Sequence, residues 1–372
     1  MIPKYILDDA AAPLANNPKN KGLVIGVIVR ERRAVFGYGQ MSAQNPHPPG
    51  GNTLFEIGSI TKVFTSALLA CLVEEGVVGL DDPVCILDSQ LSNLAPEITL
   101  RQLATHTSGL PRLPSNLVPH LLKNINNPYA SYTFQDLYHY LSRYQPKRSS
   151  RAEEVVRYSN LGAGLLGNVL AGRLGMTYEE AVKTKVCLPL GMNDTTITLS
   201  SEQRSRLAPP HKSSGKRAQN WDLPALAGAG ALRSTADDLL AFFAATMGVT
   251  ETPLTRALQA CLPLQVRQAS HPSRWERWLS RSNRRTTGSE IHFEGTGLGW
   301  FRARFGENDS LLFLHDGATG GYRASAGFIQ DLGAGVVALS NRGPSDFDLL
   351  LARYSVGEIC LKVLRHFLDQ KD

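Results

Sequence analysis

Apolar residues follow two different rhythms along this 372-residue chain, and each rhythm predicts its own elements. Residues 22–30 (GLVIGVIVR) and 33–40 (RAVFGYGQ) are short runs rich in branched and aromatic residues, joined by a charged turn. They predict two strands of a hairpin. The loop NPHPPGG then breaks the pattern. From Ser59 to about Glu75 the spacing turns helical (SITKVFTSALLACLVEE), and Gly76 fits a helix stop. Residues 80–220 read as helical pieces split by proline and glycine. From 221 onward strands return as LGWFRARF, SLLFLHDG, YRASAGFIQ and GAGVVALSN, and the closing FDLLLARYSVGEICLKVLRHFL reads as an amphipathic helix.

Strands, then helices, then strands, then a helix predict an α+β fold with a mainly antiparallel sheet rather than alternating βαβ units. The early hairpin is expected to join the late strands in one sheet flanked by helices. The chain then forms a single domain over 1–372, with a sheet lobe at about 20–60 and 221–372. An inserted helical lobe covers about 61–220, with a cleft between the lobes. The length suits one large or two interleaved lobes.

Composition changes this picture little. With 42% hydrophobic and 19% charged residues the chain is neither disordered nor fibrous. The net charge of +6 is scattered, except in residues 274–285 (RWERWLSRSNRR), which hold five arginines and two tryptophans. That run suits either an anionic partner or a solvated segment with snorkelling arginines; the second reading is preferred, so no nucleic-acid partner is expected. Five cysteines without a CxxC pair predict buried free thiols. The N-terminus lacks a basic region followed by an apolar one, and no run reaches membrane-span length. The expectation is a cytoplasmic protein, or a periplasmic or secreted one if a leader was removed. The oligomeric state stays open.

The chemistry begins at FEIGSITK, where Ser59 and Lys62 lie three apart at a helix start and share a face. A serine needs a base to take its proton, and a lysine serves once burial or nearby positive charge lowers its pKa. The helix N-terminus favours developing negative charge at the same place. SxxK alone arises often by chance, with the serine as a cap and the lysine on the surface. GAGLLG (162–167) matches GxGxxG but lacks the strand context of a dinucleotide site, so its glycines are read as close helix packing. No HExxH, paired Cys/His spacing or GxSxG is present, which disfavours zinc and α/β-hydrolase chemistry; no metal or cofactor is expected.

The wider context is more specific. FEIGSITKVFTSALLACLVEEGVVGLDDPV resembles the nucleophile helix of the serine β-lactamase-related family, which includes class C β-lactamases, D-alanyl-D-alanine carboxypeptidases and esterases. LRQLATHTSGLP, Tyr158-Ser159-Asn160, LGAGALRSTADDLLAFF and the closing strands continue the resemblance from about 20 to 345. It implies a β-lactamase/transpeptidase-like fold and an acyl-enzyme on Ser59, with Lys62 and Tyr158 moving protons. Asn160 is then expected to bond Lys62 and a substrate carbonyl. His315-Asp316-Gly317 fills the third motif, where many relatives have Lys-Thr-Gly. His315 is expected to polarise Tyr158 or meet a substrate carboxylate, and Gly317 to let substrate lie against its strand. Ala318 N–H joins Ser59 N–H in an oxyanion hole. His106 is expected to hold a loop. Histidine in place of lysine argues for an esterase or D-amino-acid-type peptidase, with at most weak β-lactamase activity. The rival reading is a silent peptide- or peptidoglycan-binding protein on the same fold.

Overall fold

The computed structural model describes residues 3–16, 21–145, 156–267, 291–345 and 355–370. The chain opens with helix α1 (Lys4–Ala15), followed by β1 (Gly22–Val29) and β2 (Arg32–Gly39). A two-stranded ribbon pairs β3 (Phe55–Glu56) with β4 (Arg233–Ser234). Then come β5 (Val266–Arg267), β6 (Ile291–Thr296), β7 (Phe301–Phe305), β8 (Ser310–Ala318), β9 (Arg323–Ile329) and β10 (Ala334–Ser340). The main sheet has eight antiparallel strands in the order β2-β1-β10-β9-β8-β7-β6-β5, so the early hairpin does join the late strands.

Both faces of the central strands are covered, which explains the unbroken apolar run of β1. Val24 and Ile28 point into the larger core, shared with the helical region. Leu23, Ile25 and Val27 point the other way, into a second core under α1 and the C-terminal helix. This is the strand period of two, applied to a sheet buried on both sides. The fold is α+β with an antiparallel sheet flanked by helices.

Three features lie outside the sequence reading. Helix α1 was not anticipated, and β5 and β6 fall where a variable loop was expected. The basic run at 274–285 and the first residues of the expected C-terminal helix lie outside the described residues; the helix is seen over Ser355–Asp369. All five cysteines are unpaired thiols, as expected.

Helix α2 (Thr61–Glu74) is buried at every residue from Thr61 to Leu72. Helix α3 (Asn160–Leu174) contains GAGLLG, so those glycines lie inside a helix and not in a phosphate-binding turn. A Cβ on Gly164 would come within 2.7 Å of Leu226 Cδ2, and one on Gly167 within 3.0 Å of Gly228 Cα. The glycines thus let the short helix α4 (Ala227–Gly230) press against α3. Thr65 Oγ1 on α2 donates to Gly228 O at 2.8 Å, so α2, α3 and α4 meet at one point. Gly228→Ala would put a methyl 2.8 Å from Ala163 O and 3.0 Å from Gly167 Cα, both backbone atoms. Overpacking there is expected to cost about 1–3 kcal/mol. Thermal unfolding of the variant checks this, and an unchanged melting temperature contradicts the packing account.

Candidate active site

The turn before α2 is a 3-10 turn over Gly58–Ile60 that rests on the edge of β8. Gly58 has φ +50°, and a Cβ there would lie 2.6 Å from Ala318 N. Only glycine fits such a left-handed position against another backbone. The space over Gly317 is likewise filled: a Cβ on it would collide with Ile57 O and reach within 3.0 Å of Ser59 N. This corrects the expectation for Gly317. What lies close against that glycine is the nucleophile turn itself, not a substrate.

The sheet register sets the direction of the Ala318 amide. Thr319 N–H donates to Tyr322 O, so at Thr319 the backbone faces β9. In an antiparallel ladder successive residues face alternate sides, so Ala318 N–H points away from β9. On that side β7 ends at Phe301, opposite Leu314, and leaves the amide uncovered beside Ser59. Ser59 N–H belongs to a first helical turn, where such groups have no intrahelical acceptor. Two backbone donors are therefore available on the same side of Ser59.

Lys62 follows one turn later. It is 2% exposed, and its Nζ lies 3.0 Å from Ser59 Oγ and 2.6 Å from Ala229 O. Burial drives its pKa well below the ordinary 10.5, and the positive charge of Arg112 lowers it further. No carboxylate opposes this shift among the described residues. A neutral amine donates to Ala229 O and offers its lone pair to the serine hydroxyl.

Tyr158 presents its ring to this amine, with the centroid 4.9 Å from Lys62 Nζ. The segment that carries it is held from three sides. Ser159 caps α3, its Oγ accepting from Gly162 N–H at 2.8 Å and donating to Pro111 O at 2.7 Å. Asn160 N–H donates to Arg112 O at 3.0 Å. Ser159 N–H donates to His106 Nδ1 at 3.2 Å, and the His106 ring lies 4.5 Å from that of Tyr158. Burial and then the charges of Lys62 and His315 hold the His106 pKa well below its usual 6.5. His106 is thus a neutral prop whose Nδ1 is already used, in line with the loop role expected for it.

Asn160 lines the cleft beside Ser59, but its Oδ1 is buried without a partner. The expected bond to Lys62 is absent, because the amine is turned to Ser59 and Ala229 instead. His315 is 1% exposed. Its Nδ1 meets Asp316 O at 2.9 Å, an acceptor only, so Nδ1 carries the proton and Nε2 a bare lone pair. That Nε2 is buried and unpartnered. Burial and then Lys62 push the His315 pKa to about 3. A neutral ring with a lone pair cannot hold a carboxylate, which removes that half of the expectation. The ring remains 6.4 Å from Tyr158, on the side from which it can act on the phenol.

Sequence reasoning missed the far wall of the cleft. Tyr129, Trp221, Leu223 and Leu226 line it together with Asn160 and Ala318. The two aromatic rings meet edge-on at 5.4 Å. Their loops are clasped: Asn127 Nδ2–H donates to Asp222 Oδ2 at 2.9 Å, and Asp222 N–H donates to Asn127 Oδ1 at 2.9 Å. Trp221 N–H also donates to Glu56 Oε1 at 3.0 Å, tying the wall to β3. No local pattern links residues so far apart. The lysine's second partner, Ala229 O, is a backbone atom with no residue-type signal.

Comparison with known proteins gives a consistent picture. A family model described as Beta-lactamase matches residues 7–360. A Beta-lactamase of Pseudomonas fluorescens is 25% identical over 366 residues, covering 95% of this chain and 97% of its own. The D-alanyl-D-alanine-carboxypeptidase/endopeptidase AmpH of Escherichia coli K12 is 32% identical over 230 residues, 59% of this chain and 55% of its own. A crystal structure of a class C beta lactamase from Rhodobacter sphaeroides superposes with a TM-score of 0.76 at 22% identity, covering 98% of this chain and 99% of that one.

The buried amine carries a stability prediction. Between its depressed folded pKa and 10.5, the folded chain binds fewer protons than the unfolded one. Stability therefore rises with pH across that window, and Lys62 is most costly at its acid end. Lys62→Met is expected to raise the melting temperature, and by more at pH 6 than at pH 9. A gain that does not depend on pH would contradict a neutral lysine.

Proposed function

The chain belongs to the β-lactamase family, a family of serine hydrolases, and we propose that it forms an acyl-enzyme on Ser59 with an ester or amide substrate. The observation that carries this reading is a buried amine 3.0 Å from the serine hydroxyl, with no described carboxylate to keep it charged. Ser59 Oγ attacks the substrate carbonyl as its proton passes to Lys62. The oxyanion is held by Ser59 N–H and Ala318 N–H, placed before reaction begins. Tyr158, within range of the amine, returns the proton to the leaving group. Water then enters, gives a proton to the same pair, and attacks the acyl carbon. The second tetrahedral intermediate collapses and restores Ser59.

Within this class the reading favours an esterase or a peptidase acting near D-amino acids over a β-lactamase. A neutral His315 offers no positive charge where many relatives carry lysine. The carboxylate of a β-lactam would find no counter-ion at that position, so turnover of such compounds should be weak.

Two outcomes test the reading. Ser59→Ala is expected to abolish hydrolysis of short-chain p-nitrophenyl esters, along with the mass increase after treatment with a fluorophosphonate probe. Equal labelling of wild type and variant would point instead to a silent binding protein. Tyr158→Phe is expected to lower turnover by about 10²- to 10⁴-fold, the usual range for a general acid–base group. In a parallel panel, esters and D-amino-acid amides should outpace nitrocefin, and the reverse order would overturn the substrate class.

A further inference from the structure

The ring of Tyr158 lies between two cations. One is Lys62; the other is Arg112, whose Cζ lies 5.7 Å from the ring centroid. Arg112 directly follows the Gly109-Leu110-Pro111 turn, and its carbonyl accepts from Asn160 N–H and Leu161 N–H at 3.0 and 3.2 Å. Its backbone is therefore fixed by the start of α3. Its charge lowers the pKa of Lys62 and acts on the hydroxyl of Tyr129. Since Tyr129 and Asn160 both line the cleft, the guanidinium stands at that wall, away from β8.

Other arginines in the core or at its edge are paired. Arg233 meets Glu56, Arg206 meets Asp194, and Arg302 and Arg304 share Glu294. Arg112 is half-buried, yet among the described residues no carboxylate or carbonyl accepts from its side chain. A guanidinium presents a fork of donors matched to a carboxylate, and leaving it partly desolvated and unmatched is unfavourable. With Lys62 and His315 both neutral, Arg112 is the one full positive charge close to Ser59 among the described residues. Next to it, the buried Oδ1 of Asn160 waits for a donor.

We propose that Arg112 binds a carboxylate carried on the acyl portion of the substrate, so that the preferred acyl donors are half-esters or amides of dicarboxylic acids. This rests on the acyl-enzyme reading. The leaving group lies toward Tyr158, which protonates it. The acyl chain runs along Tyr129 and Trp221, and its far end meets Arg112.

The test uses the full chain and three esters: p-nitrophenyl monoadipate, p-nitrophenyl hexanoate and 4-(hexanoyloxy)benzoate. They place a carboxylate on the acyl side, nowhere, and on the leaving group. Assays are run on the alkaline plateau, and the readout is the ratio of kcat/KM for monoadipate to that for hexanoate, which cancels any change at Lys62. Wild type should prefer monoadipate. Arg112→Gln should lower the ratio about 10- to 100-fold, mostly through KM, the range expected for one charged hydrogen bond. Arg112→Lys should recover part of it. An unchanged ratio overturns the proposal, as does a loss confined to 4-(hexanoyloxy)benzoate. If wild type and Ser59→Ala hydrolyse hexanoate equally, the hydrolase reading falls by itself. Calorimetric titration with adipate still decides on Arg112 in that case. Binding that is lost in Arg112→Gln supports the proposal, and no binding to wild type ends it.

Discussion

An ammonium group buried without a counter-charge is among the least stable arrangements a protein can hold, and here it is resolved by giving up the proton. Lys62 sits inside a helix whose neighbours are almost all apolar, with Arg112 adding repulsion and no acid offsetting it. The cost of placing lysine there becomes the basicity offered to Ser59. The rest of the site is arranged around that exchange. His106 and His315 feel the same burial, and both are pushed toward their neutral forms. The cleft thus keeps its polar groups while shedding charge, apart from the arginine at its Tyr129 wall.

Geometry follows from backbone set against backbone. Gly58 and Gly317 allow the nucleophile turn to lie directly on β8, and the shortness of β7 leaves Ala318 N–H open beside it. On the other flank, Gly164, Gly167 and Gly228 bring α4 close enough for Ala229 O to fix the amine. The site is therefore held by strand and helix packing rather than by flexible side chains, which suits chemistry that needs donors in place before charge develops.

Much of this could be read in the sequence because it is local. The helical spacing after Ser59, the alternating strands and the glycine-rich helix all follow from nearest-neighbour patterns. Family resemblance brought Tyr158 and Asn160 to the same place. What escaped was non-local or carried by backbone atoms. Ala229 O has no side-chain signature, and Tyr129 and Trp221 meet only through the clasp at Asn127 and Asp222. The errors at Asn160, His315 and Gly317 have one source. A motif gives residue types, but hydrogen-bond direction decides whether a ring nitrogen donates or accepts and what fills the space above a glycine. Helix α1 and the edge strands β5 and β6 were lost because short segments carry little periodicity.

The central claim is that Lys62 is neutral in the resting protein at neutral pH. It is tested most directly by titrating the protein labelled with ¹³C at lysine Cε, with Lys62→Met used to assign the resonance. The account predicts one lysine signal that changes protonation below neutrality while the rest titrate together near the ordinary value. A Lys62 signal that titrates with the surface lysines would contradict it.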